Sequence, residues 1–292
     1  SRETAISGQM EDLWQKVGEK IGIPIEMLSV NDAPAEHIEN GTVLEWGKQL
    51  ALDGNIHITV ITPTSLFRLQ EEDIGFLPVA TYQVDGSKYD RPCIMAATSS
   101  PLFDIPDARN RLLALEGKKI GIGHGVKSNP VGDMLLLDYD IETRSDQFFD
   151  YVGTFGGLSD RIDDTLSGRT AGFITMNIDL KFAKQKEKLF ELKPLVCGDV
   201  YTNMPLIFST SMPRETAARL RKLILNIHSD PDFPQLKFIF AAIGGHFVPV
   251  SSGDYEKWKS VYKKGRREGW LNEIGDATYP AEPGAAVKDT GK

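Results

Sequence analysis

A chain of 292 residues has room for one large or two ordinary domains, because a single core rarely outgrows about 250–300 residues. Its 41% hydrophobic and 25% charged content is that of a folded globular protein. With 33 basic against 41 acidic residues, its net charge of −8 argues against a general nucleic-acid binder, and no apolar run reaches the roughly 20 residues that span a bilayer.

The elements alternate along the chain. Met10, Leu13, Trp14, Val17 and Ile21 recur at helical spacing over residues 9–21, and Gly22 ends the run. Pro24 to Val30 reads as a strand, and a helix carries Leu44, Trp46, Leu50 and Leu52 up to Asp53-Gly54. Residues 56–61 are β-branched and apolar on both faces, the pattern of a buried parallel strand, and Thr62-Pro63-Thr64-Ser65 opens the next helix. Further on, strands are expected at 93–97, 119–123, 171–175 and 206–209. Helices are expected at 109–115, from Val131, at 158–166 and at 214–227. Strands alternating with helices predict parallel sheets covered on both faces. One such stretch lies inside the other, which predicts two lobes, 1–91 with 206–292 against 92–205, joined by crossings near Arg91-Pro92 and Met204-Pro205.

Ligands of open α/β sheets sit beyond the carboxyl ends of strands, where loops become helices and free N–H groups point outward. Three turns have that position and the small or hydroxylic residues it favours. They are Thr62-Pro63-Thr64-Ser65, the run Gly123-His124-Gly125-Val126-Lys127-Ser128-Asn129, and Gly153-Thr154-Phe155-Gly156-Gly157. These turns predict that Thr64, Ser65, His124 and Thr154 line one cleft between the lobes. Catalysis is not expected: there is no G-x-S-x-G, no P-loop and no H-E-x-x-H, and the five histidines are scattered. No cofactor signature is present either; Gly121-Ile122-Gly123-His124-Gly125 lacks the dinucleotide spacing. The two cysteines, Cys93 and Cys197, are open to three readings: one bridge, two buried small residues, or a single functional thiol.

Several segments together resemble the phosphate/phosphonate-binding family of ABC-transporter solute-binding proteins. Residues 46–65 are similar to that family's first-lobe pocket, and Leu112 to Gly121 to its second-lobe entry. Leu166 to Phe173, Asn203-Met204-Pro205-Leu206 and Gly245 to Val250 follow in the family's order, so that the resemblance covers about residues 9–265. It implies a type II periplasmic-binding-protein fold, a small-molecule ligand and an ABC permease as partner. It also implies a monomer located in the periplasm. The opening Ser1-Arg2-Glu3-Thr4, with no basic start or apolar stretch, then reads as a processed chain.

The same comparison shows departures. The family's Ser/Thr-rich anion turn is here His124-Gly125-Val126-Lys127-Ser128, its Ser-His-Asp run is Thr154-Phe155-Gly156, and its first strand is reduced to about Glu3–Ser7. Asp90-Arg91-Pro92-Cys93 instead places a cysteine at the first crossing, which resembles the family's arsenite-sensing branch. That resemblance implies arsenic(III) held by the soft thiolate of Cys93, Cys197 structural, and a sensor histidine kinase as partner. The alternative is an uptake receptor for phosphonate, phosphate or phosphite.

Overall fold

The computed structural model describes residues 2–26, 28, 32–39, 43–123, 130–154, 157–181, 183, 185–234, 236, 240–241 and 244–267. Helices α1 (Arg2–Ile21), α2 (Ala35–Glu39) and α3 (Val43–Leu52) precede strand β1 (Ile58–Val60). Helix α4 (Pro63–Glu71) leads to β2 (Phe76–Tyr82), β3 (Tyr89–Asp90) and β4 (Pro92–Ala97). Next come α5 (Ala108–Leu113), β5 (Lys119–Gly123), α6 (Pro130–Asp138), α7 (Ser145–Phe148) and β6 (Asp150–Thr154). Then follow α8 (Leu158–Leu166), β7 (Gly172–Met176), α9 (Asn177–Lys181), β8 (Leu192–Cys197), β9 (Tyr201–Thr202) and β10 (Pro205–Ser209). The last described elements are α10 (Arg214–Asn226), β11 (Phe247–Pro249) and α11 (Glu256–Arg267).

Two compact units result: Ser1–Lys88 with Thr202–Lys259, and Tyr89–Tyr201 with the residues from Ser260. The chain leaves the first unit after Lys88 and re-enters it at Thr202, where Arg91-Pro92 and Met204-Pro205 were the sequence's markers. The described residues from Ser260 to Arg267 group with the second unit, where Lys264 pairs with Glu142 at 2.8 Å, although the element order predicts a first-lobe tail.

The first unit holds a sheet of order β1-β10-β2-β11, and every ladder in it is antiparallel. Residues 56–61 are therefore not a buried parallel strand. Only Ile58–Val60 is strand, it lies at the sheet's edge, and Val60 is 52% exposed. Its neighbour β10 re-enters the unit from the second crossing and so runs the opposite way. Leu66, Ile74, Phe76 and Ile207 form a core between this sheet and α4. Helix α1 buries Leu13, Val17 and Ile21, the stripe its spacing predicts. Arg219 of α10 donates to the carbonyl of Ile21 at 3.0 Å, and Gly22 ends the helix at φ 72°. Because α1 starts at Arg2, the short strand expected at Glu3–Ser7 is helix: extending a nucleated helix costs little per residue, and nothing in that run breaks it. Pro24, Ile25, Glu26 and Leu28, within the strand expected at 24–30, belong to no strand; the rest of that span lies outside the described residues.

The second unit holds a sheet of order β6-β5-β7-β4-β8. Strand β5 is parallel to both β6 and β7, whereas β4 is antiparallel to β7 and β8. Here both faces are covered as expected. Ile94, Ala96, Ile120 and Ile174 pack against Leu112, Leu135, Leu136 and Phe148 on one side. Met95 and Phe173 pack with Ile162 and Leu192 on the other.

Candidate functional site

Parallel pairing brings three strand ends to one edge of the second unit. Gly123 lies beside Thr154, and Gly121 beside Phe173, so Gly123, Thr154 and Thr175 are level. Each strand is followed by a helix: α6 from Pro130, α8 from Leu158 and α9 from Asn177. This is the arrangement in which helix N-termini offer N–H groups and partial positive charge to an anion. Thr154 ends β6 at this edge. His124, Gly125, Val126, Lys127, Ser128 and Phe155 lie outside the described residues. Gly157, which leads into α8, takes φ 69°, a left-handed conformation open to glycine without steric cost.

Three residues to which the sequence reading gave no role shape this edge. Buried Asp90 accepts the Ile178 N–H at 2.8 Å with one carboxylate oxygen and the Arg91 N–H at 2.7 Å with the other. Asp179 accepts from the Thr175 hydroxyl at 3.1 Å and from the Met176 N–H at 3.2 Å. The start of α9 is thus closed by the protein's own carboxylates. Arg161 of α8 donates through Nη1 to the Ile174 carbonyl at 3.0 Å and through Nε to the Gly157 carbonyl at 3.4 Å. It also stands 5.9 Å over the Phe173 ring. Burial lowers its pKa while Asp179 raises it, and a guanidinium stays charged at any physiological pH. A cation therefore lies just behind the edge. Nothing in the run Leu158-Ser159-Asp160-Arg161 marks this position, because its partners come from β7 and the preceding turn.

In the first unit the predicted turn forms as read. Thr62 is the N-cap of α4 and Pro63 its first residue. The Thr62 hydroxyl accepts the Ser65 N–H at 3.2 Å and lies 2.9 Å from the Thr64 hydroxyl and 2.8 Å from that of Ser65. Thr64 is buried, whereas Thr62 and Ser65 are exposed. The result is a hydroxyl cluster at the mouth of a helix whose first residue has no N–H to satisfy.

The cysteines overturn one expectation. Cys93 stands opposite Cys197 in the β4–β8 ladder, with Cα atoms 4.1 Å apart, and the two form a disulfide. The free thiolate that arsenic(III) would need at Cys93 is therefore absent, contrary to the expectation of a metalloid site there. Adjacent antiparallel strands bring together two residues 104 positions apart, which no local pattern reveals. Among the described residues no group of three or more His, Cys, Asp or Glu side chains is placed to hold a metal ion. No helix among them is long and apolar enough to cross a membrane. What the described sites offer is hydrogen-bond donors and helix N-termini, with the half-buried guanidinium of Arg161 behind one of them.

No curated protein matches the chain. PhnD1 from Prochlorococcus marinus, solved with methylphosphonate, is similar with a TM-score of 0.63 and 12% identity, over 91% of this chain and 94% of its own. A binding-protein component of an ABC phosphonate transporter from Pseudomonas aeruginosa gives 0.62 and 12%, over 90% and 84%. The periplasmic aliphatic sulphonate-binding protein SsuA from Escherichia coli gives 0.51 and 10%, over 77% and 75%. These likenesses establish the type II periplasmic-binding-protein fold. The family model described as "ABC transporter, phosphonate, periplasmic substrate-binding protein" matches residues 5–255. The chain belongs to that family of periplasmic substrate-binding proteins, and it is a binding protein rather than an enzyme.

Proposed function

We propose that this protein is the periplasmic receptor of an ABC uptake system for a phosphonate or a closely related tetrahedral oxyanion, which it delivers to a membrane permease. The observation that carries the reading is the family match over residues 5–255, on a chain whose second unit gathers the entries of α6 and α8 at one sheet edge. Thr62, Thr64 and Ser65 of the first unit and Thr154 of the second supply donors, together with the segment His124-Gly125-Val126-Lys127-Ser128 and Phe155. The Cys93–Cys197 disulfide accords with the oxidising periplasm, where such bonds persist.

Titration calorimetry with methylphosphonate, phosphite, phosphate and arsenite tests the proposal. At least one of the first three saturates the protein at a single site, and arsenite gives no heat because both sulfurs are in the disulfide. Heat with arsenite alone would return the sensor reading, and heat with none of the four would end the oxyanion-receptor reading.

A further inference from the structure

The two ends of α6 serve different parts of the second unit. Its entry follows β5 at the strand edge, and its last turn holds the stretch on which the unit's continuous chain ends, Cys197-Gly198-Asp199-Val200-Tyr201. Asp138, the last residue of α6, accepts the Asp199 N–H at 2.7 Å with Oδ2 and the Tyr201 hydroxyl at 2.7 Å with Oδ1. The next residue, Tyr139, donates its hydroxyl to the Cys197 carbonyl at 2.8 Å. Gly198 packs so closely that a Cβ there would collide with the Asp138 carboxylate, and its N–H donates to the Pro92 carbonyl at 2.9 Å. Tyr201 is 1% exposed, so its ring is fixed while its hydroxyl holds the end of α6.

An acidic residue is electrostatically unfavourable in the last turn of a helix, where the macrodipole presents its negative end. At Asp138 that cost is offset by the two hydrogen bonds from the return crossing. A hydrogen-bonded helix moves as a rod, so α6 carries a displacement about 13 Å from its entry to its last turn. The Cys93–Cys197 bridge fixes one end of the crossing within the sheet. Movement of α6 therefore falls on Gly198, Asp199 and Val200, the three residues between the bridge and Tyr201.

We propose that Asp138 and Tyr201 are positioning residues for ligand binding, which couple the entry of α6 to the crossing by which the chain leaves the second unit. The proposal rests on the oxyanion-receptor reading, which puts the ligand at that entry, and adds the residues through which occupancy reaches the crossing. Such coupling is reciprocal: a ligand that tightens the contact is itself weakened, by the same factor, when the contact is loosened. The test uses whichever of methylphosphonate, phosphite and phosphate the native protein binds in calorimetry. That anion should slow hydrogen exchange at the amides of residues 198–202 in the native protein. Tyr201→Phe, which removes one hydroxyl and keeps the buried ring, should raise Kd at least about fivefold and diminish the slowing. Asp138→Ala should raise Kd further, and Asp138→Asn, which retains one acceptor oxygen, should fall between native and Ala. If Asp138→Ala does not fold, Tyr201→Phe alone decides. Variants that melt lower yet keep the native Kd have lost only a structural contact, and that result overturns the proposal while the receptor reading stands. An anion that binds without altering exchange at 198–202 overturns it likewise. If none of the three anions binds the native protein, the receptor reading fails and the proposal falls with it.

Discussion

Thr62 is the hub of the first unit's hydroxyl cluster, since its oxygen meets Thr64, Ser65 and the Ser65 N–H at once. Thr62→Ala removes the cap of α4 and should cost about 1 kcal/mol in urea denaturation, while Thr62→Ser should retain most of it. This residue was legible because capping is local: a Thr-Pro pair at a helix start reads the same in sequence and in structure. Asp90 was not, because its partner at Ile178 is 88 positions away. A second prediction concerns His228 and His246, whose rings stack 4.1 Å apart in the first unit. Burial and the neighbouring His228 hold the His246 pKa below its ordinary 6.5. The unfolded chain thus binds a proton more readily than the folded one. The stabilisation is complete above pH 6.5 and is lost as pH falls through the lower folded-state value. Denaturant midpoints should decline with acid in that window, and His246→Phe should flatten the decline.

Among elements, β2 and β8 are the two long strands that periodicity passes over, and each contains a proline. Pro78 stands opposite Ile207 where the β2–β10 register shifts, and Pro194 opposite Met95 where the β4–β8 register shifts. A proline cannot donate to the ladder, so a run that contains one reads as a poor strand; the irregular registers accommodate it. Strand β8 matters further because its last residue, Cys197, closes the bridge to Cys93. With 104 residues of separation, the bridge encloses nearly the whole second unit. The chain-entropy model gives it about 4–5 kcal/mol against the reduced, unfolded chain. The native protein should show no free thiol to Ellman's reagent, and two after reduction under denaturing conditions. Its melting temperature should fall clearly in reductant, whereas a Cys93→Ala/Cys197→Ala double variant should melt low with or without it. Equal melting of oxidised and reduced protein would show that the bridge adds no stability.

For the whole molecule, the residues just past the return crossing are firmly held within the first unit. Trp258 donates through Nε1 to the Thr202 carbonyl at 2.8 Å, Tyr255 donates to the Asn203 carbonyl at 3.0 Å, and Asn203 donates to the Tyr82 carbonyl at 3.0 Å. Lys88, the last residue before the first crossing, pairs with Asp254. Ligand that binds only the native state adds stability by mass action, about 2.7 kcal/mol at a hundredfold excess over Kd. Methylphosphonate should therefore raise the melting temperature progressively with concentration, well past saturation of the site. A midpoint that does not move with concentration would exclude specific binding to the folded protein.

The sequence by itself determined the α/β character, the approximate order of elements, the hydroxylic turn at the head of α4 and the resemblance to a binding-protein family. All of these depend on neighbours along the chain, where spacing and side-chain type record burial and capping directly. Only the tertiary structure decided that the first unit's ladders are antiparallel, that α11 passes into the second unit, and that Cys93 is bonded to Cys197. It also decided that Asp90 and Asp179 are consumed at the start of α9. Each of these is a pairing made by the fold, most of them between residues tens of positions apart. The free energy of such a contact depends on which strands lie side by side, and local periodicity carries no record of that choice.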